Sequence, residues 1–147
     1  MPSVSRTFTV TPSPSTVLDY LQDFSHAEEW DPGTESCTRE GAGPIGVGTT
    51  WHNVSKIAGV TTELTYTLKE VSHDRVVLVG ENDSATSTDT IVVVASGGGG
   101  SEITYTADLE MHGLAVLAAP AMKLVFEKVA TDTEKQMTEV LNRLPGH

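Results

Sequence analysis

From Leu114 to Leu144 apolar residues recur near the helical period: Leu117, Ala121, Leu124, Val125, Val129, Met137, Val140, Leu141 and Leu144. Pro120 starts or kinks the regular helix, and Pro145-Gly146 stops it. About 25 to 30 helical residues reach roughly 40 Å. That exceeds what a compact core needs by itself, but it suffices to cross a six- or seven-stranded sheet. This helix must therefore be laid against something wide.

The residues before it supply the sheet. Thr34 to His112 reads almost entirely as strands. In "VTTELTYTLKEV", Val60, Leu64, Tyr66 and Leu68 face one way, and Thr61, Glu63, Thr65, Thr67 and Lys69 the other. In "EITYTADLEMH", Ile103, Tyr105, Ala107, Leu109 and Met111 face inward. "SGGGGS" lies between two strand patterns and reads as a flexible hairpin loop. At the start, "VSRTFTV" is a half-buried strand with Val4, Phe8 and Val10 on one face. "TPSPSTVLDYLQDF" then turns helical, with Ser13 as cap and Pro14 at the first position. One more helical turn fits before Asp31-Pro32-Gly33 breaks it. Strands in hairpin order followed by a helix specify an α+β domain with an antiparallel sheet. A twisted sheet can curl around the long helix and enclose a core or a cavity.

Composition narrows the function. Nine Lys+Arg against 20 Asp+Glu give a formal charge of −11, which repels phosphate backbones, so no nucleic-acid partner is expected. The longest apolar run, "LAVLAAPAM", is too short to span a bilayer, and the N-terminus carries no leader pattern. Cys37 is alone, excluding an internal disulfide and a multi-thiolate metal site. A cytoplasmic, reduced protein, monomeric or weakly dimeric, with no stable membrane insertion, is the expectation.

"GAGPIGVG", Gly41 to Gly48, contains G-x-G-x-x-G. Dinucleotide binding needs a helix after the glycines, whose N-terminal N–H groups hold the pyrophosphate. Here "TTWHNVSKI" follows, β-branched and aromatic, and Pro44 removes a donor. Thr49 stands where a phosphate loop needs lysine. The segment reads as a turn between strands, near the mouth of the proposed cavity.

The segment from Trp30 to Trp51, with Trp30-Asp31-Pro32 and then Gly41-Ala42-Gly43-Pro44-Ile45-Gly46-Val47-Gly48-Thr49, resembles the polyketide cyclase/dehydrase and lipid-transport family. That family is a branch of the START-like (SRPBCC, birch-pollen-allergen fold) superfamily. "GGSEITYTADLEMHG" and the long C-terminal helix extend the resemblance over nearly all of residues 1–147. It implies a single domain of helix-grip fold: a curved antiparallel sheet of about seven strands around the long helix, two short helices after strand 1, and an apolar cavity between. Its members include lipid carriers, hormone receptors and aromatic cyclases, so it implies no single reaction.

Alternation and the helix stripe nominate lining residues for a small hydrophobic ligand such as a lipid, polyketide or aromatic: Trp51, Asn53, Leu64, Tyr66, Leu78, Ile91, Tyr105, Leu109, Met122, Val125 and Phe126. All also suit a plain core. Trp51, Asn53 and Ser55 share a phase opposite to His52; a bulge after Gly48 would exchange them and turn His52 inward as an acid or base. Asp89, in phase with Ile91 and Val93, would be a proton donor or acceptor if buried. His26, Glu29 and Asp31 are close in sequence but lack further ligands, so neither metal nor cofactor is expected. The functions left open are hydrophobic-ligand binding or transport, cyclase- or dehydratase-like proton transfer by His52, Asp89 or a tyrosine, and a partner-binding module whose cavity is vestigial.

Overall fold

The computed structural model describes residues 3–57, 59–113 and 119–145, without the side chains of Ile57, Ala119, Ala121 and Met122. Met122 as a ligand contact, and Leu117 in the helical stripe, lie outside what is described.

Strand β1 (Ser3–Val10) leads to helix α1 (Pro14–Leu21), a 3-10 turn (Phe24–His26) and the single turn α2 (Ala27–Trp30). Six strands follow: β2 (Thr34–Glu40), β3 (Thr50–Ile57), β4 (Val60–Val71), β5 (Arg75–Glu81), β6 (Ala85–Gly97) and β7 (Gly100–Met111). Helix α3 (Ala119–Asn142) completes the described fold. The sheet order is β1-β7-β6-β5-β4-β3-β2, antiparallel throughout, which is the expected helix-grip arrangement.

Local chemistry explains the element boundaries. Ser13 accepts the Thr16 N–H and Pro14 occupies the first turn of α1, as the sequence implies. The glycine segment joins β2 to β3 as a turn; Gly48, at φ 98°, hands its N–H to the Leu68 carbonyl and starts the β3–β4 ladder. That ladder runs without a bulge from Thr50 to Ile57, so Asn53 faces inward and His52 outward. The register shifts fall elsewhere, at Thr34/Ser36 in β2, Leu68/Glu70 in β4 and Ala95/Gly97 in β6.

Inward rows run straight across the sheet. One contains Trp51, Tyr66, Gly80, Ser87 and Leu109; the next contains Leu68, Leu78, Asp89, Ala107 and Val4. A third holds Val76, Ile91 and Tyr105, and ends at Arg6 on the edge strand. Gly80 is small for a reason. A Cβ there would sit 2.6 Å from the Tyr66 ring, which lies flat over β5.

Helix α3 packs chiefly on β1 and α2. Its buried stripe is Phe126, Ala130, Thr133, Met137 and Leu141. The periodicity misassigns Leu124, which is 79% exposed, because the covered face is rotated toward Phe126. Val60 likewise sits in solvent, at the tip of the β3–β4 hairpin. Polar ties fasten the helix. The Arg6 guanidinium donates to the Glu127 carboxylate at 2.9 Å and to Thr131 Oγ1 at 3.2 Å. Gln136 Nε2 donates to the Glu29 carbonyl, and Asn142 Oδ1 accepts the Thr11 N–H.

Gly80→Ala should cost about 1–3 kcal/mol, the usual range for overpacking. In a Tyr66→Ala background the same change should cost far less, because the clash is gone. Urea unfolding of the four proteins measures both; additive effects would mean that the ring does not constrain Gly80.

Candidate functional site

An aromatic layer lies under the helices. Phe24 is its hub, with ring centroids 4.4 Å from Tyr66, 6.0 Å from Trp30 and 6.2 Å from Trp51. Trp30 meets Tyr105 edge-on at 6.1 Å. Such contacts fix ring orientation beyond what area burial does. Trp30 arrives on α2 and Phe24 on the 3-10 turn, while Trp51, Tyr66 and Tyr105 rise from the sheet.

Asp89 stands within this layer, 4% exposed, between Leu78 and Ala107 in its row. No described residue hydrogen-bonds its carboxyl. Burial, and then the charges of Asp31 and Asp108, push its pKa up to about 8. Burial and then Asp89 raise the Tyr105 hydroxyl well above its usual value. Tyr66 responds in the same way, with the Ser87 hydroxyl opposing.

Asp31 is positioned by a chain of side-chain bonds. Ser55 Oγ donates to Asn53 Oδ1 at 2.6 Å, and Asn53 Nδ2 donates to Thr34 Oγ1 at 3.3 Å. Thr34 Oγ1 in turn donates to Asp31 Oδ2 at 3.1 Å, and the Gly33 N–H donates to Asp31 Oδ1 at 3.0 Å. Burial raises the Asp31 carboxyl, and the two bonds it accepts partly offset this. Asn53, 1% exposed, is thus committed to holding β2 and Asp31.

Three buried polar atoms of this interior lack a hydrogen-bond partner among the described residues: Trp30 Nε1, Trp51 Nε1 and Thr133 Oγ1. Trp51 Nε1 is near the Asp23 carboxylate, outside good bonding geometry. Thr131 and Thr138 return their hydroxyls to α3 carbonyls four residues back, whereas Thr133 does not.

A groove of about 420 Å³ opens beside Asp31, lined by Pro32, Gly33, Lys56, Leu124, Val125 and Val129, with Lys128 and Asp132 at its rim. It lies at the end of β3 away from the glycine turn, so that turn does not frame this opening. Of the residues expected to line a cavity, Val125 borders the groove. Trp51, Tyr66, Leu78, Ile91, Tyr105, Leu109 and Phe126 lie in the core, and Leu64 packs against it half-buried. A second recess of about 400 Å³, between Thr9–Thr11 and the glycine hairpin, contains none of these groups.

His52 is not part of the interior. It faces solvent and pairs with Glu63 at 2.8 Å. His26 stacks on Tyr20, and Glu29 accepts the Tyr20 hydroxyl, so neither meets Asp31. No three possible metal ligands cluster among the described residues. Burial pushes the Cys37 thiol up to about 12, which leaves it without nucleophilic thiolate. Sequence reasoning missed Trp30, the half-buried Asp31, Thr133 and Arg6. Arg6 shares the phase of Val4 and Phe8, which was a readable signal.

A seven-stranded antiparallel sheet with a long C-terminal helix packed on it is a helix-grip fold. The chain belongs to the family described as polyketide cyclase / dehydrase and lipid transport, which matches residues 1–144. Its fold is similar to a START superfamily protein from Mycobacterium smegmatis, at 14% identity and TM-score 0.79, covering 96% of this chain and 97% of that one. It is similar to the Zhui aromatase/cyclase of a Streptomyces species, at 12% identity and TM-score 0.72, covering 95% and 87%. The ginseng (Panax ginseng) major latex-like protein shares the fold at 10% identity and TM-score 0.70, covering 95% and 96%. A search of curated proteins gave no match. No described helix is long and apolar enough to cross a membrane.

The position of Asp89 has a measurable consequence. The unfolded chain loses this proton near pH 4, whereas the folded protein keeps it to about pH 8. Between those values the native state binds more protons, so stability falls as pH rises, by up to about 1.4 kcal/mol per pH unit. Asp31 contributes with the same sign. Asp89→Asn should flatten this decline and be the more stable protein at pH 8. Urea melts from pH 5 to 8 test it; identical profiles would mean that Asp89 titrates normally.

Proposed function

We propose that the protein binds or carries a small hydrophobic ligand between the sheet and α3, entering by the groove at Pro32, Lys56 and Leu124. The observation that carries this reading is the groove itself. Leu124 is the most exposed large apolar side chain described, and it lines the groove with Val125 and Val129. Two structural neighbours are an aromatase/cyclase and a major latex-like protein, which fits either a cyclizing enzyme or a carrier. The interior candidates Tyr66, Ile91, Tyr105, Leu109 and Phe126 would contact the ligand once it displaces their present packing.

A second reading is favoured by Asp89. A buried carboxyl whose proton affinity is raised by burial suits proton transfer to or from a bound carbonyl compound. Deuteration of the methyl group of 1-acetylnaphthalene in D2O, followed by NMR, tests it. Exchange accelerated by the parent and not by Asp89→Asn supports the enzyme; equal exchange in both removes it.

For the binding reading, the neutral dye Nile red should gain fluorescence on the parent protein. Leu124→Asp should weaken that binding about tenfold while leaving the unfolding midpoint nearly unchanged, since the side chain is exposed. His52→Ala should change neither. Undiminished binding by Leu124→Asp would place the entrance elsewhere.

A further inference from the structure

We propose that the interior cluster is a neutral-acceptor site: it takes an uncharged ligand through an oxygen acceptor, read by the Asp89 carboxyl, the Tyr105 hydroxyl and the Trp30 indole N–H, and it turns carboxylates away. This rests on the ligand-binding reading and specifies the ligand's polar end.

Three observations lead here. First, the unpartnered groups are mainly donors. Trp30 Nε1 can only donate, and the Thr133 hydroxyl is free to do so. Neither Asp89 nor Tyr105 is hydrogen-bonded by any described residue. Buried polar groups are rarely left without partners, so an occupant supplies them. Second, the groups are neighbours. Tyr105 sits diagonally across the β6–β7 ladder from Asp89 and meets the Trp30 ring at 6.1 Å. Third, no described cation faces Asp89. The charged or titratable groups acting on it or beside it are Asp31, Tyr66, Tyr105 and Asp108. The buried stripe of α3 offers Phe126, Ala130, Thr133 and Met137, none charged, and Arg6 is engaged with Glu127. A ligand carboxylate would meet two acids and no compensating charge. An uncharged carbonyl or ether oxygen meets donors. The raised proton affinity of Asp89 agrees, because a carboxyl kept neutral can itself donate.

The test uses four naphthalene probes of matched size at pH 6.5: 1-acetylnaphthalene, 1-ethylnaphthalene, 1-naphthoate and 1-naphthylmethylamine. Titration calorimetry or tryptophan quenching reads affinity in the parent, Asp89→Asn and Asp89→Leu, with far-UV circular dichroism confirming that each is folded. In the parent, acetylnaphthalene should bind about tenfold tighter than ethylnaphthalene and naphthoate. Asp89→Asn keeps a donor and loses the acid, so it should hold acetylnaphthalene and gain naphthoate. A variant that merely loosened the core would not split the probes in that way. Asp89→Leu should lose the preference for the ketone over ethylnaphthalene; if it does not fold, Tyr105→Phe should narrow the same preference. Naphthoate binding as tightly as the ketone overturns this inference and leaves ligand binding standing. The amine binding tightest, and released by Asp89→Asn, also overturns it, since the site would then be cationic. If none of the four binds, the ligand-binding reading falls as well.

Discussion

A seven-stranded sheet that bends must have its concave face covered, and α3 reaches it mainly along one edge. The Arg6 guanidinium makes that edge contact specific. It extends from the inward face of β1 and is received by Glu127 and Thr131, with Glu134 at 4.0 Å. Part-buried, multidentate and charge-assisted, it belongs to the stronger class of polar contacts. The helix is held on β1 at one side and on α2 through Gln136 at the other, while α1 packs on β5, β6 and β7, and side chains fill the space between. The aromatic layer fills that space.

The same geometry explains why polar groups survive in the interior. The helical contacts of β5 and β6 come chiefly from α1. Asp89 has small neighbours there, Ala107 beside it and the glycine of β5 one row away. Gly80 lets the Tyr66 ring lie down over the strand and not stand up into the space above. An apolar residue at 89 would serve folding better, because an unpaired buried acid costs stability at neutral pH. Its presence is the reason to look for an occupant.

Much of this was legible as pattern. Alternation placed Tyr66, Tyr105 and Leu109 inward, and the switch of period at Gly113 announced the helix. Register was another matter. His52 and Asn53 are adjacent, and which one enters the interior turns on whether a residue is inserted after Gly48; composition alone does not say. Leu124 fits the apolar stripe by spacing, but helix rotation is set by Phe126 and Met137 finding the sheet. Thr133 sits on the true stripe and was invisible to a search for apolar residues. Trp30 and Asp31 lie in a segment that reads as polar, and only the fold shows that it closes over the aromatic layer.

Asp31 and Asp89 also show why the fold alone underdetermines the chemistry. Each is raised by burial, but they are held differently. Asp31 accepts from Gly33 and Thr34 and is tied through Asn53 to β3, so its carboxylate is already served. Asp89 is served by no described residue. One carboxyl is therefore part of the wall and the other has no hydrogen-bond partner among the described residues, and the charge of the first biases the second toward its protonated form. Neighbours with the same sheet and helix need not share this pair. This pair stands on β6 and at the α2–β2 junction, away from the glycine turn between β2 and β3.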